Sequence, residues 1–136
     1  MTDQPSTPAP QDAQDEAVQQ RHAEVLRRYY EAVDARDFDT LLSLFSEDSV
    51  YRRPGFPPLE GREDLDRFYR EQRQIASGSH TVHTVIHDGS RAAVQGRFVG
   101  RMRSGQEMDF GFSDFWTFDA DGAATDRETY FSTPLA

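Results

Sequence analysis

The chain has 136 residues, enough for one domain with one core. A net charge of −9 excludes nucleic acid and anionic membrane surfaces as natural partners, because binding phosphate needs a basic face. With no cysteine and no lysine, disulfides, thiolate metal sites, thiol nucleophiles and Schiff-base catalysis are excluded as well.

Residues 1–17 are rich in Pro, Ser, Gln and Asp, which predicts a disordered tail ahead of a single domain over 18–136. That opening lacks an apolar core segment of the secretory kind, and no apolar run nears the roughly 20 residues that span a bilayer. A cytoplasmic protein is the expectation. From Val18 a helical period appears, with Leu26, Tyr29, Tyr30 and Val33 on one stripe. Asp37 is placed to cap a short second helix carrying Phe38, Leu41, Leu42 and Phe45, ended by Ser46-Glu47-Asp48. Val50 to Arg53 reads as a brief strand stopped by Pro54, and Pro54 to Pro58 as a loop. A third helix starts near Gly61 and buries Leu65, Phe68 and Tyr69.

After Gly78 the period switches to two. His80–His87, Arg91–Met102, Glu107–Phe118 and Thr125–Phe131 read as strands, joined by turns at Asp88-Gly89, Ser104-Gly105 and Asp121-Gly122. Helices first and an antiparallel meander after is an α+β order. The expected architecture is a cone-shaped pocket, made by three N-terminal helices on a strongly curved, mainly antiparallel sheet. Only 36% of the residues are hydrophobic, but 12% are aromatic, and each buried ring removes about 150–250 Å² from water. Rings therefore supply both core and pocket walls.

The segment Met108 to Phe118 carries the sharpest signal. Met108, Phe110, Phe112, Trp116 and Phe118 share one strand face, and Asp114 falls in the same phase. A carboxylate among rings is costly unless it is paired, protonated or turned to a cavity, which makes Asp114 a candidate acid or base. An ion pair with one of the many arginines is the alternative, and Arg97 and Arg127 are the candidate counter-ions. Tyr29 is a candidate donor to a substrate oxygen, or a core phenol with its hydroxyl satisfied. Tyr51 and Arg53 share a side of their strand just before the Pro-rich loop, where Arg53 can anchor negative charge. Among the histidines, His83 and His87 share a strand face roughly 13 Å apart while His80 faces away, which opposes a metal centre. Asp126, Glu128 and Tyr130 alternate to one face, a solvated or dimer-facing edge. No Gly-rich phosphate loop, nucleophile elbow or zinc-protease helix occurs, and no cofactor is expected.

The run Arg28 to Asp39 followed by Leu41 to Asp48, with Gly61-Arg62-Glu63 and Phe115 to Gly122, resembles the nuclear-transport-factor-2-like superfamily. That group includes ketosteroid isomerases, limonene epoxide hydrolases and SnoaL-like polyketide cyclases. The resemblance implies a homodimer built on the open sheet face. It sets Tyr29 and Asp114 at the oxyanion hole of the isomerases, and Arg53 where their base aspartate stands. Against the epoxide hydrolases it sets Tyr51 at a water-holding tyrosine, Arg53 at the water-holding asparagine, and Arg97 and Thr129 near the catalytic aspartates.

The expected function is a SnoaL-like cyclase or isomerase acting on a largely apolar molecule, in secondary metabolism. Asp114 would move the proton, Tyr29 and Tyr51 would hold a substrate oxygen, and Arg53 would steady developing charge. Phe56, Phe68, Arg97, Phe112, Trp116 and Thr129 would contact the substrate. The alternatives are a non-catalytic module that only holds a small apolar ligand, with Arg53 and Asp114 as a structural ion pair, and a protein-interaction domain.

Overall fold

In the computed structural model, which describes residues 10–133, helix α1 runs Pro10–Ala35. Residues 10–17, expected as tail, are thus its exposed first turns, while residues 1–9 lie outside the described part. Pro10 suits a first helical position, and the Gln11 amide meets the Asp15 carboxylate at 3.0 Å one turn on. Helix formers continue a helix cheaply once its buried part has nucleated it. That buried part is the expected stripe, extended by His22 and Ala32.

Helix α1 stops at Arg36, a non-glycine residue at φ 58°, where the Asp37 N–H closes on the Ala32 carbonyl at 2.8 Å. Asp37 then caps helix α2 (Phe38–Ser43), its carboxylate accepting the Thr40 N–H at 3.2 Å. Strand β1 occupies Phe45–Arg52 and so takes in Phe45 to Asp48, the segment read as the end of the helix. Pairing explains the difference. The Ala124 N–H reaches the Leu44 carbonyl at 2.9 Å, which draws the chain into the sheet early. A two-residue strand β2 (Leu59–Glu60) precedes helix α3 (Gly61–Arg67), which widens into a π-helical turn over Phe68–Gln72.

Strands β3 (Ile75–Asp88), β4 (Arg91–Met102), β5 (Glu107–Phe118) and β6 (Ala124–Phe131) follow. The sheet order is β2-β1-β6-β5-β4-β3, antiparallel except for the β1–β6 pair. The helices cover its concave face, and no described helix is long and apolar enough to cross a membrane.

Bulges and glycines bend this sheet. Register shifts interrupt β3 at Ile75/Ser77 and at Val82/Thr84. The Phe98 ring lies across Gly78, where an added Cβ would sit 2.2 Å from the ring, and at Gly96 it would sit 2.1 Å from the Thr81 carbonyl oxygen. Large rings therefore pack directly on bare backbone where the strands curve most closely together.

Gly96→Ala accordingly destabilises the fold by about 1–3 kcal/mol, read as a lower urea midpoint at unchanged slope. An unchanged midpoint would show that β4 tolerates a side chain at this bend.

Candidate functional site

Strand alternation delivers Asp114 from β5 and Arg127 and Thr129 from β6 to the concave face. Arg127 Nη2 donates to Asp114 Oδ2 at 2.9 Å, with side-chain exposures of 4% and 0%. The Tyr30 hydroxyl, from α1, donates to the same oxygen at 2.5 Å, and Thr129 Oγ1 donates to Oδ1. Because the Thr129 proton is used there, the Tyr51 hydroxyl is the donor in its 3.0 Å contact with Thr129. Every oxygen of the carboxylate is engaged by protein.

On its other side Arg127 Nη1 donates to the hydroxyls of Tyr29 and, at 3.1 Å, Tyr69. Those two hydroxyls lie 2.6 Å apart. One of them donates to the other, so one phenolic proton is left over for a third group. The guanidinium also stacks over the rings of Tyr29 and Tyr51 at 4.4 Å and of Trp116 at 5.0 Å. Burial pushes the Tyr29 and Tyr30 phenols well above the ordinary phenol range; the Arg127 guanidinium pulls against this in both, and the Asp114 carboxylate adds to it in Tyr30. Burial likewise raises Tyr69. Arg127 is pulled down by burial but lifted further by Asp114 and the phenols, and ends above the usual arginine value.

Beside this cluster lies a narrow cavity, in which about 30 Å³ admits the centres of water-sized molecules. Tyr29, Tyr51, Tyr69 and Thr129 give it hydroxyls, and Phe68, Phe98, Phe110, Phe112 and Phe131 give it rings. Arg53, Arg73 and Arg127 all reach it. Burial lowers Arg73 below the usual arginine value, and the charge of Arg53 contributes in the same direction. The cavity is therefore narrower and far more cationic than the apolar pocket expected from composition.

His80 also lines it. The ring's Nδ1 contacts the Asp34 carboxylate at 2.6 Å, and the backbone N–H of His80 donates to the other Asp34 oxygen at 2.8 Å. Asp34 thus holds the residue at two points and fixes Nδ1 as the protonated nitrogen. Nε2 has no partner among the described residues.

Of the residues singled out from sequence, Tyr29, Tyr51, Arg53, Phe68, Phe112 and Thr129 line the cavity. Asp114 and Trp116 are fully buried behind it, and Phe56 packs on Phe68 at 5.0 Å, at the edge of a neighbouring surface groove. Arg97 is on the opposite face of β4, exposed and paired with Asp109 at 2.6 Å, so substrate contact by Arg97 is corrected. Its strand parity, odd where Val94, Gly96 and Phe98 are even, sends it outward. The counter-ion of Asp114 is Arg127, one of the candidates, and neither Arg97, on the far side of the sheet, nor Arg53, which pairs with no carboxylate among the described residues; its phenolic donor is Tyr30. Strand parity predicts that His83 shares a face with His87 and that His80 faces away, but the bulge at Val82/Thr84 breaks that parity: His80 and His87 both face α1, and His83 is exposed. Asp34 carried a legible signal, one helical turn beyond Tyr30 on the buried stripe. Arg73, between a helical turn and a strand, carried none. Among the described residues no group of three His, Asp or Glu side chains is arranged to hold a metal ion.

The chain is similar in fold to an NTF2-like protein of unknown function from Burkholderia pseudomallei, at TM-score 0.75 and 22% identity over 82% of this chain and 91% of that one. It is similar also to a putative SnoaL-like polyketide cyclase from Jannaschia, at TM-score 0.74 and 18% identity over 94% and 92%. An orange carotenoid-binding protein from Limnospira maxima is 43% identical over 47 residues, 35% of this chain but only 15% of that protein's length. The model of the SnoaL-like domain matches residues 26–127, which takes in Tyr29, Tyr30, Tyr69, Asp114 and Arg127, strands β1 to β5 and the first half of β6. On that match the chain belongs to the SnoaL-like domain family.

Proposed function

We propose that this chain is a small-molecule enzyme that moves a proton within a carbonyl compound, an isomerase or cyclase, with His80 rather than Asp114 as its base. The observation that carries the reading is the Asp34–His80 pair on the cavity wall, with Nε2 left for substrate. Nε2 takes a proton from the carbon beside the carbonyl, and the C–H electron pair moves onto the carbonyl oxygen. The spare phenolic proton of the Tyr29–Tyr69 pair and the guanidiniums stabilise that oxygen. The proton then returns at another carbon, giving an isomer, or the carbanion attacks a second carbonyl and the imidazolium gives the proton to the oxygen of that carbonyl, giving a ring that carries a hydroxyl. No oxidant or cofactor enters the balance. A cytoplasmic location and a place in secondary metabolism fit this reading. So does a dimer through the convex sheet face, where Phe115 and Tyr130 are 44% and 51% exposed.

A non-catalytic binding module is the second reading. It is favoured by the neutralised Arg127–Asp114 pair, which resembles a structural centre more than a reactive one. The carotenoid-binding name of the partial relative points the same way.

Native mass spectrometry of protein from its producing organism identifies the molecule in the cavity. In D₂O the wild type is expected to place deuterium at one carbon of that molecule, and His80→Asn to do so at least about 100-fold more slowly at equal occupancy. A wild type that binds the molecule and leaves it unlabelled supports the binding module instead.

Asp114→Asn leaves Arg127 buried without its counter-charge, and an expected loss of about 3–5 kcal/mol in urea unfolding measures the pair. A variant of unchanged stability would return Asp114 to the list of reactive groups.

The raised phenols of Tyr29, Tyr30 and Tyr69 set a pH limit. Folded, they keep protons that the unfolded chain releases near pH 10, so stability is complete below that pH and falls as pH rises through it. Urea midpoints between pH 9 and 11 should drop together with the appearance of tyrosinate absorbance.

A further inference from the structure

Nearly every other buried or half-buried charge has a partner. Arg127 meets Asp114, His80 meets Asp34, and the surface arginines 27, 52, 67, 70, 97 and 101 each pair with an acid. Arg53 and Arg73 do not: among the described residues no carboxylate lies within ion-pair distance of either. Both guanidiniums line the same cavity, in a chain of net charge −9 where acids are plentiful. Arg73 is only 6% exposed, and Arg53 Nε is buried with no hydrogen-bond partner. Burying a lone cation is costly, and two facing one cavity repel. A fold that holds two is short of an anion there.

The surroundings specify the anion further. Arg53 sits over the rings of Phe68 at 4.9 Å, Phe56 at 5.3 Å and Phe131 at 5.6 Å, so rings cover its faces and its donors are left to point along its edge. A planar fork matches a carboxylate with two oxygens better than a point charge does. Phe98 and Phe112, packed on His80 at 4.7 and 5.3 Å, and Phe110 line the same cavity, which suits a flat ring.

We propose that Arg53 and Arg73 form an anion subsite that takes a small planar organic carboxylate, with its ring laid among the cavity phenylalanines. This rests on the reading of the cavity as the ligand site. It does not require His80 to be a base, so the substrate of the proposed proton transfer is an aryl or enol carboxylate only if both hold.

The test is calorimetric titration of the full chain with benzoate, benzyl alcohol and inorganic phosphate, in wild type, Arg73→Gln and the surface variant Arg101→Gln. Benzoate is expected to bind wild type and Arg101→Gln alike, and Arg73→Gln about 10- to 100-fold more weakly. Benzyl alcohol, with the ring but no charge, and phosphate, with charge but no ring, are expected to bind at least tenfold more weakly than benzoate. Unliganded Arg73→Gln should melt at the same temperature as wild type or higher, since it relieves an unpaired buried charge. Absence of benzoate binding, equal binding by Arg73→Gln, phosphate binding as tight as benzoate, or a lowered melting temperature of unliganded Arg73→Gln each overturns the proposal. Benzoate binding by wild type that depends on Arg73, together with unlabelled ligand in D₂O, overturns only the proton-transfer reading.

Discussion

The ion pair of Arg127 with Asp114 is the constraint around which the domain is assembled. Two opposite charges withdrawn from water cost several kcal/mol each unless their remaining hydrogen-bonding capacity is met. Tyr29 and Tyr30 from α1, Tyr69 from the π-helical turn after α3, and Thr129 from β6 meet all of it except the Arg127 Nε–H, which is buried without a partner. Helices and sheet are therefore fastened by specific donors and acceptors as well as by apolar contact, and a shift of either layer would strand a charge. The pair contributes specificity of arrangement more than net stability.

This arrangement also divides labour on the concave face. Asp114 and Trp116 lie behind the cavity wall and hold the layers in register. Tyr29, Tyr69 and Arg127 belong to both sides, since the groups that tie Asp114 down also line the space beside it. A wall held in this way has its donors aimed by contacts within the protein, the preorganisation that the proposed stabilisation of a developing charge calls for.

Much of the fold was legible in the chain. The stripe of α1, the Asp37 cap and the strict alternation of β4 and β5 follow from period and local chemistry, and the glycine turns follow from their required backbone angles. The site was only partly legible. Asp114 stood out because a carboxylate among rings violates a rule, but the same pattern cannot say whether it is free or tied. Tyr29 and Tyr30 lie next to each other, and a helical wheel does not separate their partners. His80 was hidden by a bulge, which changes parity without a mark in composition. Arg73 was hidden because its burial depends on the turn of Phe68–Gln72 and on strands far along the chain.

The central cluster joins residues that lie far apart in sequence. Tyr30 is separated from Asp114 by 84 positions and Tyr29 from Arg127 by 98. Loop-closure entropy is therefore spent before the reward arrives, the hallmark of slow, high-contact-order folding. The two tyrosines of α1 therefore find their partners only when β5 and β6, far along the chain, are in place. Until then the amphipathic helix has no finished surface to lie on, which couples the docking of α1 to completion of the sheet.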